Sequence, residues 1–254
     1  MGQIKKLKNL SPEDYKLWST LQDIKISDNA SWISYIVSYE SHQDTLFVQN
    51  IKSSKTICIP KGNNAEFLND SFLACMMPEN GLKILNLKTG AFADLPHISS
   101  YNPSNSSIIL QGEIKDGRYV LQVCSFEGKI IRTINNVASH KINPDRSKIA
   151  IFQSSDQNEI SILDLKNNSQ VAVRKNKDIL FSNLKWHYKG NSLAFTGSSS
   201  IDSKHRLLYF YKAHEKILYQ LTSSDLTQYI SNTELDLKYD SSFAISDNEE
   251  DLFF

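Results

Sequence analysis

The chain has 254 residues, with 28 basic and 28 acidic side chains in formal balance, 40% hydrophobic and 22% charged. This is an ordinary globular composition with enough apolar residues for a sizeable core, and it excludes wholesale disorder. The neutral balance argues against a chain that lives on nucleic acid, where phosphate binding shows as a basic excess. The longest apolar run, the six residues Phe72 to Met77, is far short of the roughly 20 that a membrane helix needs.

In chain order, Lys5, Lys6 and Lys8 are followed by no apolar stretch of secretory type, so any signal peptide is absent or already removed. Ser11-Pro12-Glu13-Asp14 then reads as a helix start: a capping residue, Pro at the first helical position and an acid three residues after the cap. Leu10 and Tyr15 stand where a hydrophobic staple would be, and Tyr15, Trp18 and Leu21 share one helical face. The spacing predicts a short amphipathic helix ending before Ile24, within a lead-in over residues 1–22.

From residue 23 to residue 254 the chain repeats itself. Ile26–Tyr35, Tyr101–Leu110, Ile142–Ile151, Trp186–Phe195 and Ile245–Phe254 align column for column, and a shortened copy runs over Phe67–Cys75. The starts at 26, 67, 101, 142, 186 and 245 are separated by 41, 34, 41, 44 and 59 residues. In each copy an apolar residue ends one strand. A turn of Ser, Asn, Asp, Pro or Gly follows, and an apolar strand runs back. A second hairpin completes the unit, as in Leu82–Leu87 before Lys88-Thr89-Gly90, or Ile160–Leu165 before Lys166–Ser169. Four short strands per repeat of this period predict an all-β fold, a β-propeller of about five four-stranded blades plus the start of another, in a ring left open. A β-sandwich or barrel, the other reading of many short strands, does not explain the period. The Gly-His and Trp-Asp marks of WD40 repeats are missing.

No catalytic, cofactor-binding or metal-ligating residue is assigned. Gly190-Asn191-Ser192-Leu193-Ala194 is a near miss to the G-x-S-x-G nucleophile elbow, but it occupies a repeat turn that leads into a strand, whereas an elbow leads into a helix. His42, His97, His140, His187, His205 and His214 share no ligand spacing. The acidic run Asp247 to Asp251 sits at the turn position of a repeat, and Asp94, Asp164 and Asp236 have no partner that spacing identifies. Cys58, Cys75 and Cys124 lie in apolar stretches and read as buried thiols, with no CxxC. Asn-x-Ser occurs at Asn9, Asn29, Asn69, Asn105 and Asn167, as chance allows in an Asn- and Ser-rich chain. The three Trp, eleven Tyr and twelve Phe fall mostly at strand positions. Packing between blades accounts for most, leaving a few to grip a peptide or sugar.

One ordered set of residues resembles a known family. Tyr15-x-x-Trp18, Ile26-Ser27-Asp28, Trp32–Tyr35, Tyr39-Glu40, Asp44–Val48 and Pro60-Lys61-Gly62, with Leu85–Gly90 and Ile142-Asn143-Pro144, are similar to the propeller preceding the catalytic domain of bacterial prolyl-oligopeptidase-like serine peptidases of family S9. The resemblance covers nearly the whole chain. It implies a non-catalytic segment that gates or binds peptides for an α/β-hydrolase domain. The family's triad lies after the propeller, and no residue here matches it. The resemblance also implies a periplasmic or secreted location, while the unpaired cysteines fit the cytoplasm equally. The alternative is a stand-alone propeller of the TolB/PD40 type that binds or scaffolds a partner protein. Both readings expect no cofactor, no nucleic acid and no membrane span. Both also expect self-association through open blade edges, since unpaired edges invite pairing.

Overall fold

Short runs of alternating β-branched and aromatic residues, each closed by Asn, Asp, Ser or Gly, set the architecture. A computed structural model describes residues 11, 18–40, 43–199, 206–222, 244–246 and 252–253. The predicted helix residues 12–17 lie outside these. The chain divides into two compact units, Met1–Tyr101 with Phe126–Lys129, and Asn102–Ser125 with Ile130–Phe254.

The first unit holds two four-stranded antiparallel sheets in chain order. One is β1 (Ser19–Ile26), β2 (Trp32–Tyr39), β3 (Thr45–Asn50) and β4 (Thr56–Pro60). The other is β5 (Asn63–Asn69), β6 (Phe72–Met77), β7 (Gly81–Asn86) and β8 (Phe92–Pro96). Because β1 begins at Ser19, Leu21 stands in extended backbone and not on a helical face. The two sheets share one core, in which Trp32, Ile36, Leu46 and Val48 pack with Ala65, Leu73, Cys75 and Leu85. β9 (Ile98–Pro103) carries the chain across the division.

The second unit continues with β10 (Ile108–Gly112), β11 (Tyr119–Cys124), β12 (Ile130–Ile142), β13 (Lys148–Gln153), β14 (Asn158–Asp164) and β15 (Ser169–Asn176), all in sequence order. β9 to β15 form one seven-stranded sheet, and the long strand β12 joins its two halves. Residues from Ile130 to Val137 pair with β11, and residues from Val137 to Ile142 pair with β13. The last full sheet is β16 (Ile179–Trp186), β17 (Ser192–Ser199), β18 (Arg206–Lys212) and β19 (Ile217–Thr222). A short antiparallel pair, β20 (Ala244–Ile245) and β21 (Leu252–Phe253), matches the first hairpin of the repeat that starts at 245. The four-stranded meander is the blade of a β-propeller, and the chain is an all-β protein of that class.

The repeat turns explain themselves through hydrogen bonds. Asn143 Oδ1 accepts from the Ser147 and Lys148 amides at 2.9 and 2.8 Å. Ser27 Oγ accepts from Trp32 N at 3.0 Å, and Ser104 Oγ from Ser107 N at 3.0 Å. These first turn residues are all buried. Each side chain satisfies a turn amide that burial would otherwise leave costly. Across the blade, a backbone bond ties the second turn to the first in four repeats: Ile51 N to Ser31 O, Leu87 N to Ser71 O, Leu165 N to Ser147 O and Ala213 N to Asn191 O, at 2.8–2.9 Å. The second turns are capped likewise, with Asn50, Asn86 and Asp164 each accepting two turn amides through Oδ1.

Three first strands carry a bulge at one repeat position. Asp23, Asn64 and Asn183 each stand three residues before a repeat start. Each has a φ of 44–54°, and pairing skips there. Asn and Asp tolerate this left-handed backbone better than other side chains do.

Candidate functional site

The Ser192 run is architecture. Gly190 takes φ 76° in the turn, and its amide donates to His187 O at 2.8 Å. Ser192 then opens β17, paired with Lys212, and its carbonyl accepts from His187 N at 2.9 Å. Trp32 and Lys148 make the same backbone bond in their repeats. Ser192 is fully buried. A nucleophile elbow needs an exposed hydroxyl on a strand-to-helix turn, and this turn leads from strand to strand.

The remaining sequence candidates are dispersed. His97 and His214 stand in exposed segments, His187 is buried in its turn, and His42, His205, Asp236 and the run 247–251 lie outside the described residues. Asp94 is bridged by Lys83, whose ammonium also lies 4.8 Å from the Phe92 ring centroid. Among the described residues no group of three His, Cys, Asp or Glu is placed to hold a metal ion. Nor is any helix there long and apolar enough to cross a membrane. Cys75 and Cys124 are buried as expected, and burial pushes the Cys75 thiol up to about 12. Cys58 is exposed.

Tyr119 and His140 are also brought together. The Tyr119 hydroxyl, on β11, and His140 Nδ1, on β12, share a hydrogen bond of 2.6 Å. Burial pushes the Tyr119 hydroxyl up to about 12, so it keeps its proton. Burial, with Lys141 adding to it, lowers His140 from 6.5 to about 4. The imidazole is therefore neutral near pH 7. The pair joins two strands and is ready for a structural role.

The feature that sequence reading missed is a sheet face. On the side of the first blade turned away from the second, Tyr35 and Phe47 stack at 5.5 Å with 12° between their planes. Leu21 pairs with Val37, Ile26 with Ile33, and Cys58 with Phe47, so all of these share that face. The β16–β19 blade carries the same constellation at the same repeat positions. Phe195 and Tyr209 stack at 4.9 Å and 16°, with Phe181 and Trp186 standing where Leu21 and Ile26 stand. There the four side chains are buried against Ala150, Phe152, Ile160 and Ile162 of the preceding sheet. In the first blade the corresponding residues are open: Leu21 is 63% and Ile26 59% exposed, against 2% for Phe181 and 7% for Trp186. Aligning aromatic columns between repeats would have disclosed the match. The burial difference needed the structure.

No protein-family model matches the sequence, and no curated protein matches it. Solved structures are similar in fold. Acylaminoacyl peptidase from Pyrococcus horikoshii aligns over 78% of this chain and 39% of its own, at 14% identity and a TM-score of 0.44. The β-propeller domain of the Trilobed protease from Pyrococcus furiosus aligns over 80% of this chain and 70% of its own, at 13% identity and a TM-score of 0.45. The Cps50 (Swd1) β-propeller domain from Myceliophteria thermophila aligns over 79% and 73%, at 11% identity and a TM-score of 0.37. Peptidase propellers thus stand among the folds this chain is similar to, beside propellers of other kinds. The chain spans about 39% of the length of the first of these peptidases.

Proposed function

We propose that this chain is a non-catalytic β-propeller module that binds or gates peptides for an α/β-hydrolase domain of the S9 serine-peptidase type. The blade repeat and the ordered resemblance from Tyr15 to Gly62 support this reading, and a periplasmic or secreted location goes with it. The observation that carries the non-catalytic part is the placement of Ser192, buried at the base of a turn whose hydrogen bonds recur in other repeats. Fluorescence anisotropy with labelled Pro-containing peptides tests the binding part. Saturable binding by the purified chain is the expected result, and a flat titration contradicts it.

A second reading, a stand-alone propeller that scaffolds a partner protein, is favoured by the open apolar face of the first blade. The gene downstream of Phe254 separates the two. An α/β pattern with G-x-S-x-G there supports the gate, and an in-frame stop supports the scaffold.

A further inference from the structure

We propose that the turn Glu79-Asn80-Gly81 is a site of spontaneous covalent modification, at which Asn80 closes on the Gly81 amide and is converted to aspartate and isoaspartate. The reaction involves only this chain's own residues and water, and it stands whether or not the peptide-binding reading holds.

Asn80-Gly81 is the single Asn-Gly pair in the sequence, and every other Asn is followed by a residue that carries a side chain. Glycine usually stands in a hairpin turn because the turn needs a left-handed φ. That reason holds at Gly117, in the Asp116-Gly117 turn, where φ is 71°. It does not hold at Gly81. The left-handed residues of this turn are Glu79 and Asn80, at φ 63° and 56°, and Gly81 already lies in β7, paired with Met77 and Pro96. Room is not the reason either. A Cβ on Gly81 would meet its nearest neighbour, the Met77 Cβ, at 3.5 Å, an ordinary contact. The fold therefore tolerates a side chain at position 81. What the missing side chain provides is an unhindered backbone amide next to a carboxamide.

The Gly81 nitrogen attacks Asn80 Cγ. The N–Cγ bond forms, the Cγ–Nδ2 bond breaks, and Nδ2 leaves as ammonia with the Gly81 amide proton. Water then opens the five-membered imide. Opening at Cγ gives aspartate, and opening at the main-chain carbonyl gives isoaspartate. The sum is one water taken up and one ammonia released, with nothing oxidised or reduced. Ring closure requires Asn80 to leave its left-handed backbone, so local opening of the turn sets the rate. The consequence falls on Ile98. Asn80 O accepts from the Ile98 amide at 2.8 Å, and Ile98 is buried at the head of β9. Aspartate keeps that acceptor. Isoaspartate routes the main chain through Cβ and Cγ, turns the accepting carbonyl into a carboxylate and lengthens the turn, so the bond to Ile98 is lost in its present geometry. Either product adds a negative charge to a chain of zero formal net charge.

The test is incubation of the purified chain at mildly alkaline pH, both folded and unfolded in guanidinium chloride. Peptide mapping by mass spectrometry and enzymatic methylation of isoaspartate follow the products. The expected result is conversion at Asn80 ahead of every other Asn, faster in the unfolded chain and still progressing in the folded one. Gly81→Ala should fold and slow the conversion at least ~10-fold, since the added Cβ restricts the backbone and crowds the attacking amide. Asn80→Asp should melt like the unaltered chain, and aged protein carrying isoaspartate should melt lower. Three results overturn the proposal: Asn80 intact in the folded chain while the unfolded chain converts, another Asn converting first in the folded chain, or Gly81→Ala converting at the unaltered rate. If Gly81→Ala fails to fold, the folded and unfolded samples of the unaltered chain decide, through the first two of these results.

Discussion

At the scale of single residues, buried polar atoms rather than apolar ones distinguish this protein. Asn143 is 2% exposed and holds two amides of its turn. Asn143→Ala should cost ~1–2 kcal/mol, because the Lys148 amide loses the Asn143 oxygen while Ser147 N keeps Asp145 Oδ1 at 3.0 Å, and the shift of the urea midpoint measures it. His140 supplies a pH dependence. Its folded pKa of about 4 lies below its ordinary 6.5. Between these values the unfolded chain takes up a proton that the folded chain refuses. Stability is undiminished above pH 6.5 and falls as pH drops toward 4, by ~2 kcal/mol once partial exposure is discounted. Urea midpoints at pH 7.5 and pH 5 should show this loss, and His140→Gln should shrink it.

Elements follow from turn chemistry and close approach. Gly128 ends the second hairpin turn of its repeat with φ 90°, and a Cβ there would meet the Ala93 Cβ at 2.6 Å. Gly128→Ala should therefore destabilise by ~2–3 kcal/mol, through the left-handed backbone and the overlap together, readable as a lower melting temperature. The first-hairpin turns were legible in the sequence because Ser27, Ser104 and Asn143 are the residue types that cap a turn through a side-chain oxygen. The passage of β12 from β11 to β13 within one seven-stranded sheet was not. Its strand passes from one partner to the other at Val137 with no Gly or Pro to mark the change. The bulges at Asp23, Asn64 and Asn183 left a trace, an Asx residue three positions before each repeat start, but only the pairing register gives that trace a meaning.

For the whole molecule, the repeat period carried the fold class, since four short strands in each repeat of about 40 residues have few other uses. The face that Leu21, Ile26, Tyr35 and Phe47 form was hidden, because a one-residue change of register would put each on the other side of the sheet. The Ser192 run shows the opposite limit. Its letters approach a catalytic motif, and its backbone repeats the bonds made around Trp32 and Lys148. The central claim, that this chain recognises peptides without cleaving them, meets its most direct test in mass spectrometry of Pro-containing peptides incubated with the purified protein and with Ser192→Ala. The account predicts intact peptides from both. Cleavage by the unaltered chain that disappears in Ser192→Ala would contradict it.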